Sequence, residues 1–336
     1  MAFNTLALML GYRCNIQCRS CLWGDLHSHG PAMEVAEARG WIDEACRACD
    51  IRLVGFSGGE SFLYLRQLRD LAGYCWSRHN LPSAVSTNGY WALNESKAEA
   101  MLRPLAELGL RELLLSVDDF HQEHIPLERI GHALRAARRL GIECTLQAVV
   151  TRTSRHIRAY MEDLGVTEEP GLRATEVFCT RMGWAASRIP AAEFPPRPGA
   201  LSSYCSMLGP LIVRPEGTVH LCCGPAFAIP GLTVGNLRQE RLADILQRAE
   251  WDPLFNALAL GKGPSRLVEC LRQAGRGDLI RDGYSFSCEA CHDLLSVSGM
   301  DVLLREQLAP QQAELFLKRS ILSQESVESL SAMVPV

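Results

Sequence analysis

The sequence predicts an α/β protein: a parallel sheet or open barrel over roughly the first 180 residues, then a smaller unit built on a β-hairpin. Three observations carry this. Short apolar runs alternate about six times with amphipathic stretches between Thr5 and Thr180, the rhythm of parallel strands joined by crossover helices. The chemically distinctive residues follow those runs, at the C-terminal strand ends where α/β sheets collect their chemistry. A Pro-rich stretch then breaks the rhythm.

Taken in order, the strands are expected at Thr5–Gly11, Ile51–Phe56, Ser83–Ser86, Leu113–Val117, Cys144–Val150 and Thr175–Cys179. Helices are expected near Glu34–Cys49, Leu65–Arg78, Glu95–Leu108, Leu127–Leu140 and Ser154–Leu164. The barrel unit then covers 1–188, and the run from Ile189 to Gly199, with four prolines, reads as a linker over 189–200. Within 201–300 a hairpin is expected from Gly209–Val213 and Thr218–Cys222, turned by Pro215-Glu216-Gly217, with helical stretches at Leu242–Leu260 and Ser265–Ala274. A helix from Met300 to about Ser320 opens a tail over 301–336.

Composition narrows the function classes. Hydrophobic residues make up 47% and charged residues 21%, with a net charge of −4. No basic field points to nucleic acid, and no apolar run approaches the ~20 residues of a membrane span. No charged segment precedes an apolar stretch at the start, so no secretory signal is read and a cytoplasmic location is expected.

Fourteen cysteines stand out. A chain of this length has no need of disulfide staples, and the cytosol keeps thiols reduced. Cys14, Cys18 and Cys21 form one group, Cys222 and Cys223 are adjacent, and Cys288 and Cys291 form a Cys-x2-Cys pair. Such grouping reads as metal binding, by zinc or by iron–sulfur. Cys46, Cys49, Cys75, Cys144, Cys179 and Cys270 fall inside expected helices and strands and read as packing.

Cys14-x3-Cys18-x2-Cys21 lies directly after the first strand. Three thiolates on one tight loop can hold three irons of a [4Fe–4S] cluster and leave the fourth open. Zinc would want a fourth ligand close by, and no further His or Cys follows in the loop. Behind it come Gly58-Gly59-Glu60, Ser86-Thr87-Asn88-Gly89 and Ser116-Val117-Asp118. In this order the motifs resemble those of the radical S-adenosylmethionine (SAM) superfamily. The resemblance implies a partial (β/α)6 TIM-like barrel and cleavage of SAM to a 5′-deoxyadenosyl radical that abstracts a substrate hydrogen. It also implies that Gly58, Gly59, Glu60, Ser86, Asn88, Ser116, Asp118 and Gln147 contact SAM, the Glu60 carboxylate meeting its amino group. Asp118 and Asp119 are candidate catalytic groups, though alone the pair would read as a helix N-cap. Ser20 departs from the family, which places an aromatic residue or His there, and Trp23 is the candidate to replace it. His121 and His124 read as a polar rim.

Cys205-x11-Gly217-x4-Cys222, followed by Cys288-x2-Cys291, resembles the twitch domain, the short relative of the SPASM extension of radical SAM enzymes. That resemblance implies a hairpin plus helices in which Cys205, Cys222, Cys288 and Cys291 ligate an auxiliary [4Fe–4S] cluster. A structural zinc on the same thiolates is the alternative. Cys223 is then left over. Together with Asn88-Gly89-Tyr90-Trp91, Asp118-Asp119-Phe120-His121 and Asp282-Gly283-Tyr284, the Cys222-Cys223 pair resembles radical SAM peptide epimerases of the YydG type. This implies that Cys223 returns a hydrogen to the opposite face of a peptide Cα, in the biosynthesis of a peptide natural product.

The expected partners are a peptide or small-molecule substrate and an electron donor such as flavodoxin or ferredoxin, with no nucleic acid and no membrane. A small-molecule epimerase or dehydrogenase acting on an aminocyclitol or sugar is the second reading. It is helped by the first strand starting at Thr5, which leaves no room ahead of it for a peptide-recognition domain. A zinc-stabilised structural protein is the third.

Overall fold

The computed structural model describes residues 3–24, 26, 30–201, 205, 208–222, 229–261 and 263–312. Strands and helices alternate in the order β1 (Thr5–Met9), α1 (Val35–Ala48), β2 (Leu53–Ser57), α2 (Leu65–His79), β3 (Ser83–Thr87), α3 (Glu95–Glu107), β4 (Leu110–Ser116), a short α4 (Asp119–Gln122), α5 (Leu127–Arg139), β5 (Glu143–Val150), α6 (Ile157–Leu164), β6 (Leu172–Phe178) and α7 (Trp184–Arg188). There follow β7 (Leu208–Val213), β8 (Thr218–Cys222), β9 (Thr233–Asn236), α8 (Leu242–Glu250), α9 (Pro253–Leu260), α10 (Pro264–Gln273), α11 (Ser287–Leu295) and α12 (Met300–Leu308).

The strands form one nine-stranded sheet in the order β6-β5-β4-β3-β2-β1-β7-β8-β9. β1 to β6 are all parallel to their neighbours. β6 is an edge, so the barrel is open. Alternate residues of each strand point to one face, and on the helix-covered face Leu6, Leu8, Val54, Phe56, Leu113, Leu115 and Leu146 are all buried, in one core with Trp41 and Ile42 of α1 and Leu68 and Leu71 of α2. Parallel pairing brings the C-terminal ends of β1 to β5 to one rim.

Local chemistry sets the boundaries. The single helix expected over Leu242–Leu260 is two helices, because Pro253 lacks an N–H and must start a helix rather than continue one. Asp252 caps α9, its carboxylate accepting from the backbone N–H of Leu254 and Phe255. α6 starts at Ile157 rather than Ser154, since the Ser154 hydroxyl accepts from Thr151 N–H in a turn, while Glu176 of β6 accepts from Ile157 N–H. α12 ends at Leu308, followed by a single tight turn over Ala309–Gln311. The remainder of the helix expected to Ser320 lies largely outside the described residues.

Two features differ from expectation. β7 pairs in parallel with β1, Leu6 opposite Leu211 and Leu8 opposite Val213, so the hairpin extends the barrel sheet. The Pro-rich segment is no free tether. Ile189 and Phe194 are buried in a small second core with Ile16, Phe120 and Ile125, and Glu193 accepts from the Thr151 hydroxyl and from Thr153 N–H and hydroxyl.

Candidate functional site

The loop after β1 carries Cys14, Cys18 and Cys21, and the turn after β2 holds it in place. Gly59 N–H donates to Gly11 C=O and Glu60 N–H to Arg13 C=O, both at 2.9 Å. The approach is so close that a Cβ on Gly59 would sit 2.2 Å from the Arg13 oxygen, and one on Gly58 2.3 Å from the Gly11 oxygen. Gly58 also has φ +137°, a conformation that glycine adopts without strain. Glycine at these two positions seats the cysteine loop against the turn. Trp184 N–H closes the far end of the loop onto Cys21 C=O at 3.0 Å.

All three thiols line one cavity of about 260 Å³ at the C-terminal strand ends. Burial pushes Cys14 up to about 12 and Cys21 up to about 11, and the nearby Cys18 thiol raises both further. Thiolates gathered here need a cation, which iron bound in this loop would supply. Gly58, Gly59 and Glu60 line the same cavity, as do Ser86, Asn88, Ser116 and Gln147, and Ser20 and Trp23 face it too. Glu60 is 1% exposed and its carboxylate is already engaged: it accepts from Thr87 hydroxyl at 2.7 Å, Asn88 N–H at 2.8 Å and Phe62 N–H at 3.0 Å. The carboxylate therefore braces the β3 rim, a role not expected of it. Burial still raises its pKa, against those three donors.

Asp118 and Asp119 are not among the residues that line the cavity, and their carboxylates are held by the fold. Asp118 is fully buried and caps α4, accepting from His121 N–H at 3.0 Å and from Val149 N–H at 3.0 Å. The Asp119 carboxylate accepts from Arg155 N–H at 3.0 Å and from the Tyr160 hydroxyl, which ties α4 to α6. His121, read as rim, is part of the site. Its Nδ1 lies 2.8 Å from Asp118, and it lines the cavity together with Cys18. The signal was present, since a residue three beyond an N-cap folds back over the cap. Thr87, which joins Glu60 to the Trp91 indole N–H, was also missed as a site residue.

The second set of thiols also converges. Cys205, Cys222, Cys288 and Cys291 enclose one small void walled by Leu208, Leu232, Leu258 and Pro264. Cys222 ends β8 opposite Leu208 of β7. Cys288 and Cys291 stand three apart in α11, hence on one face. Burial pushes the Cys291 thiol well up, and Cys288, Cys205 and Cys222 add to it. Among the described residues no group of three or more His, Cys, Asp or Glu side chains is gathered to hold one metal ion. Four sulfur donors in a largely apolar shell suit an iron–sulfur cluster. Between the two sites, Glu289 of α11 is 2% exposed and accepts from Ser285 hydroxyl at 2.6 Å and Arg181 N–H at 3.2 Å. Cys223 lies outside the described residues.

An open α/β barrel with three thiols and a polar cavity at its strand ends, followed by a four-thiol pocket, has the makings of a cofactor-dependent enzyme. The sequence model of the radical SAM superfamily matches residues 8–164, and that of an iron–sulfur cluster-binding domain, SPASM, matches residues 205–272. The chain thus carries a radical SAM domain followed by an iron–sulfur cluster-binding domain, and these domains imply [4Fe–4S] chemistry and SAM. YydG of Bacillus subtilis (strain 168), named as a peptide biosynthesis protein, is 26% identical over 243 residues, 70% of this chain and 73% of YydG. SuiB of Streptococcus suis, solved bound to its precursor peptide SuiA, superposes with a TM-score of 0.54 at 12% identity over 73% of this chain. The matched region is 64% of SuiB, so the chain spans just under two thirds of that protein. BtrN, solved with AdoMet and 2-DOIA, gives a TM-score of 0.50 at 15% identity over 78% of this chain and 89% of BtrN. At these identities the structural likeness is one of fold. Among the described residues no helix is long and apolar enough to cross a membrane.

Proposed function

We propose that this enzyme epimerises a residue of a ribosomally made peptide at Cα, with Cys223 as hydrogen donor. Cys14, Cys18 and Cys21 hold one [4Fe–4S] cluster, and Cys205, Cys222, Cys288 and Cys291 hold a second. When bound, the first cluster and SAM supply the 5′-deoxyadenosyl radical that removes the substrate hydrogen. Gly58, Gly59, Ser86, Asn88, Ser116 and Gln147 orient SAM from the cavity wall. Glu60 and Asp118 keep the strand ends in position, and Asp119 does so through α6.

The observation that carries the reading is the four-thiol pocket. Its ligand set is complete without Cys223, which follows Cys222 directly in the chain. A surplus thiol next in sequence to a ligand suits hydrogen return: the Cys223 S–H bond breaks, a Cα–H bond forms on the opposite face, and a thiyl remains. One electron and one proton restore the thiol, the electron coming from a flavodoxin- or ferredoxin-like donor in a reducing compartment such as the cytoplasm. Similarity to YydG supports a peptide substrate.

The test is turnover of short peptides encoded beside the gene, in deuterated water. Epimerisation places one deuterium at one Cα and yields a D-residue, and Cys223→Ala abolishes the D-product while 5′-deoxyadenosine still forms. A product two electrons more oxidised would replace this reading with a dehydrogenase, and undiminished D-product from Cys223→Ala would remove the donor role.

A further inference from the structure

β8 carries an imidazole that no hydrogen bond accounts for. His220 is 2% exposed, and neither Nδ1 nor Nε2 has a partner. The buried amides with an unpaired oxygen, Gln122 and Asn256, each keep their NH2 group bonded. His220 has both ring nitrogens unmet, and a buried polar group without a partner is a standing cost that a fold rarely carries without a use.

Its position says where the partner lies. Side chains two apart on a strand project from one face, so His220 and Cys222 share a face of β8. Cys222 lines the four-thiol pocket, as does Leu208, its partner across the β7–β8 ladder. On the other flank His220 stands opposite Thr233, and Leu232, the residue before it, also lines the pocket. The Leu232 backbone is a polar neighbour of the ring but falls outside hydrogen-bond geometry. Besides the four cysteines the wall consists of leucines, a proline and Ser287, and none of them bonds the ring.

We propose that His220 donates an N–H hydrogen bond to the sulfur shell of the auxiliary cluster and thereby raises its reduction potential. The imidazole always carries at least one N–H. The thiolates and sulfides of a cluster held by four cysteines are the acceptors this pocket would contain. Hydrogen bonds to those sulfurs stabilise the more negative, reduced state, which is how a protein tunes such a centre. His220 is thus a positioning residue acting through the cluster. The inference rests on the reading above that Cys205, Cys222, Cys288 and Cys291 hold iron–sulfur.

The experiment uses the full chain with Cys14, Cys18 and Cys21 replaced by alanine, so that only the auxiliary cluster remains. Its midpoint potential is read by redox titration followed by electron paramagnetic resonance. His220→Phe is expected to shift the potential to a more negative value with about four irons retained, and His220→Gln, which keeps an N–H, to recover part of the shift. An unchanged potential in an iron-replete His220→Phe protein overturns the proposal. Should that variant lose its iron, pulsed resonance on the unaltered ring decides: a 15N-histidine coupling to the reduced cluster supports the bond, and its absence overturns it. No iron at all in the triple-alanine protein would sink the four-thiolate reading itself, and this inference with it.

Discussion

At the scale of single residues, the first site is governed by how closely two backbones approach. Gly59 leaves no space for a methyl group, because the obstructing atoms are the carbonyl oxygens of Tyr12 and Arg13 and cannot rotate away. Gly59→Ala should push the cysteine loop off β2 and empty the first site alone, lowering iron from about eight to about four per chain, read by iron and sulfide analysis. Glu60 acts through its hydrogen bonds. Glu60→Ala strands three buried donors, and at about 1–3 kcal/mol each the loss should exceed ~3 kcal/mol, visible as a lowered midpoint in denaturant unfolding. Glu60→Gln, which retains one acceptor oxygen, should lose less.

At the scale of elements, α11 is the piece on which the second site depends. Its first two turns bear Cys288 and Cys291, and Glu289 between them fastens the helix start to Ser285 and across to Arg181 after β6. Three residues on, Trp184 N–H meets Cys21 C=O, and a Cβ on Gly183 would lie 2.5 Å from that oxygen. The short segment after β6 therefore touches both cluster regions. Glu289→Ala should release α11 and remove the auxiliary cluster while the SAM-binding cluster stays, so that about four irons remain and reductive SAM cleavage to 5′-deoxyadenosine persists. Loss of both clusters together would mean that the segment couples their assembly.

At the scale of the whole molecule, one sheet runs through both halves. Because β1 lies between β2 and β7, removing the chain beyond residue 200 would uncover the β1 edge and the Leu6 and Leu8 side chains beside it. Such exposed edges template aggregation. A 1–200 fragment should therefore be recovered mainly in the insoluble fraction, whereas the full chain should carry about eight irons. Replacement of Cys14, Cys18 and Cys21 together by alanine should halve that number. Zinc in place of iron in both proteins would overturn the cluster assignments.

The sequence by itself determined the order of elements, the class of the fold and both sets of thiols. Each rests on local information: apolar periodicity places the strands, and the spacing of Cys14, Cys18 and Cys21 lies within one loop. It determined equally well that Gly58-Gly59 and Asn88 belong at strand ends. Only the tertiary structure decided what depends on residues distant in the chain. The pairing of β7 with β1 joins the hairpin to the barrel, and Glu193 and Phe194 turn an apparent linker into packed wall. Asp118 was assigned to the ligand from its position after β4, yet the N–H groups that claim its carboxylate include Val149, contributed by β5. A carboxylate takes whichever donors the fold brings within about 3 Å, and no periodicity in the chain records which those will be.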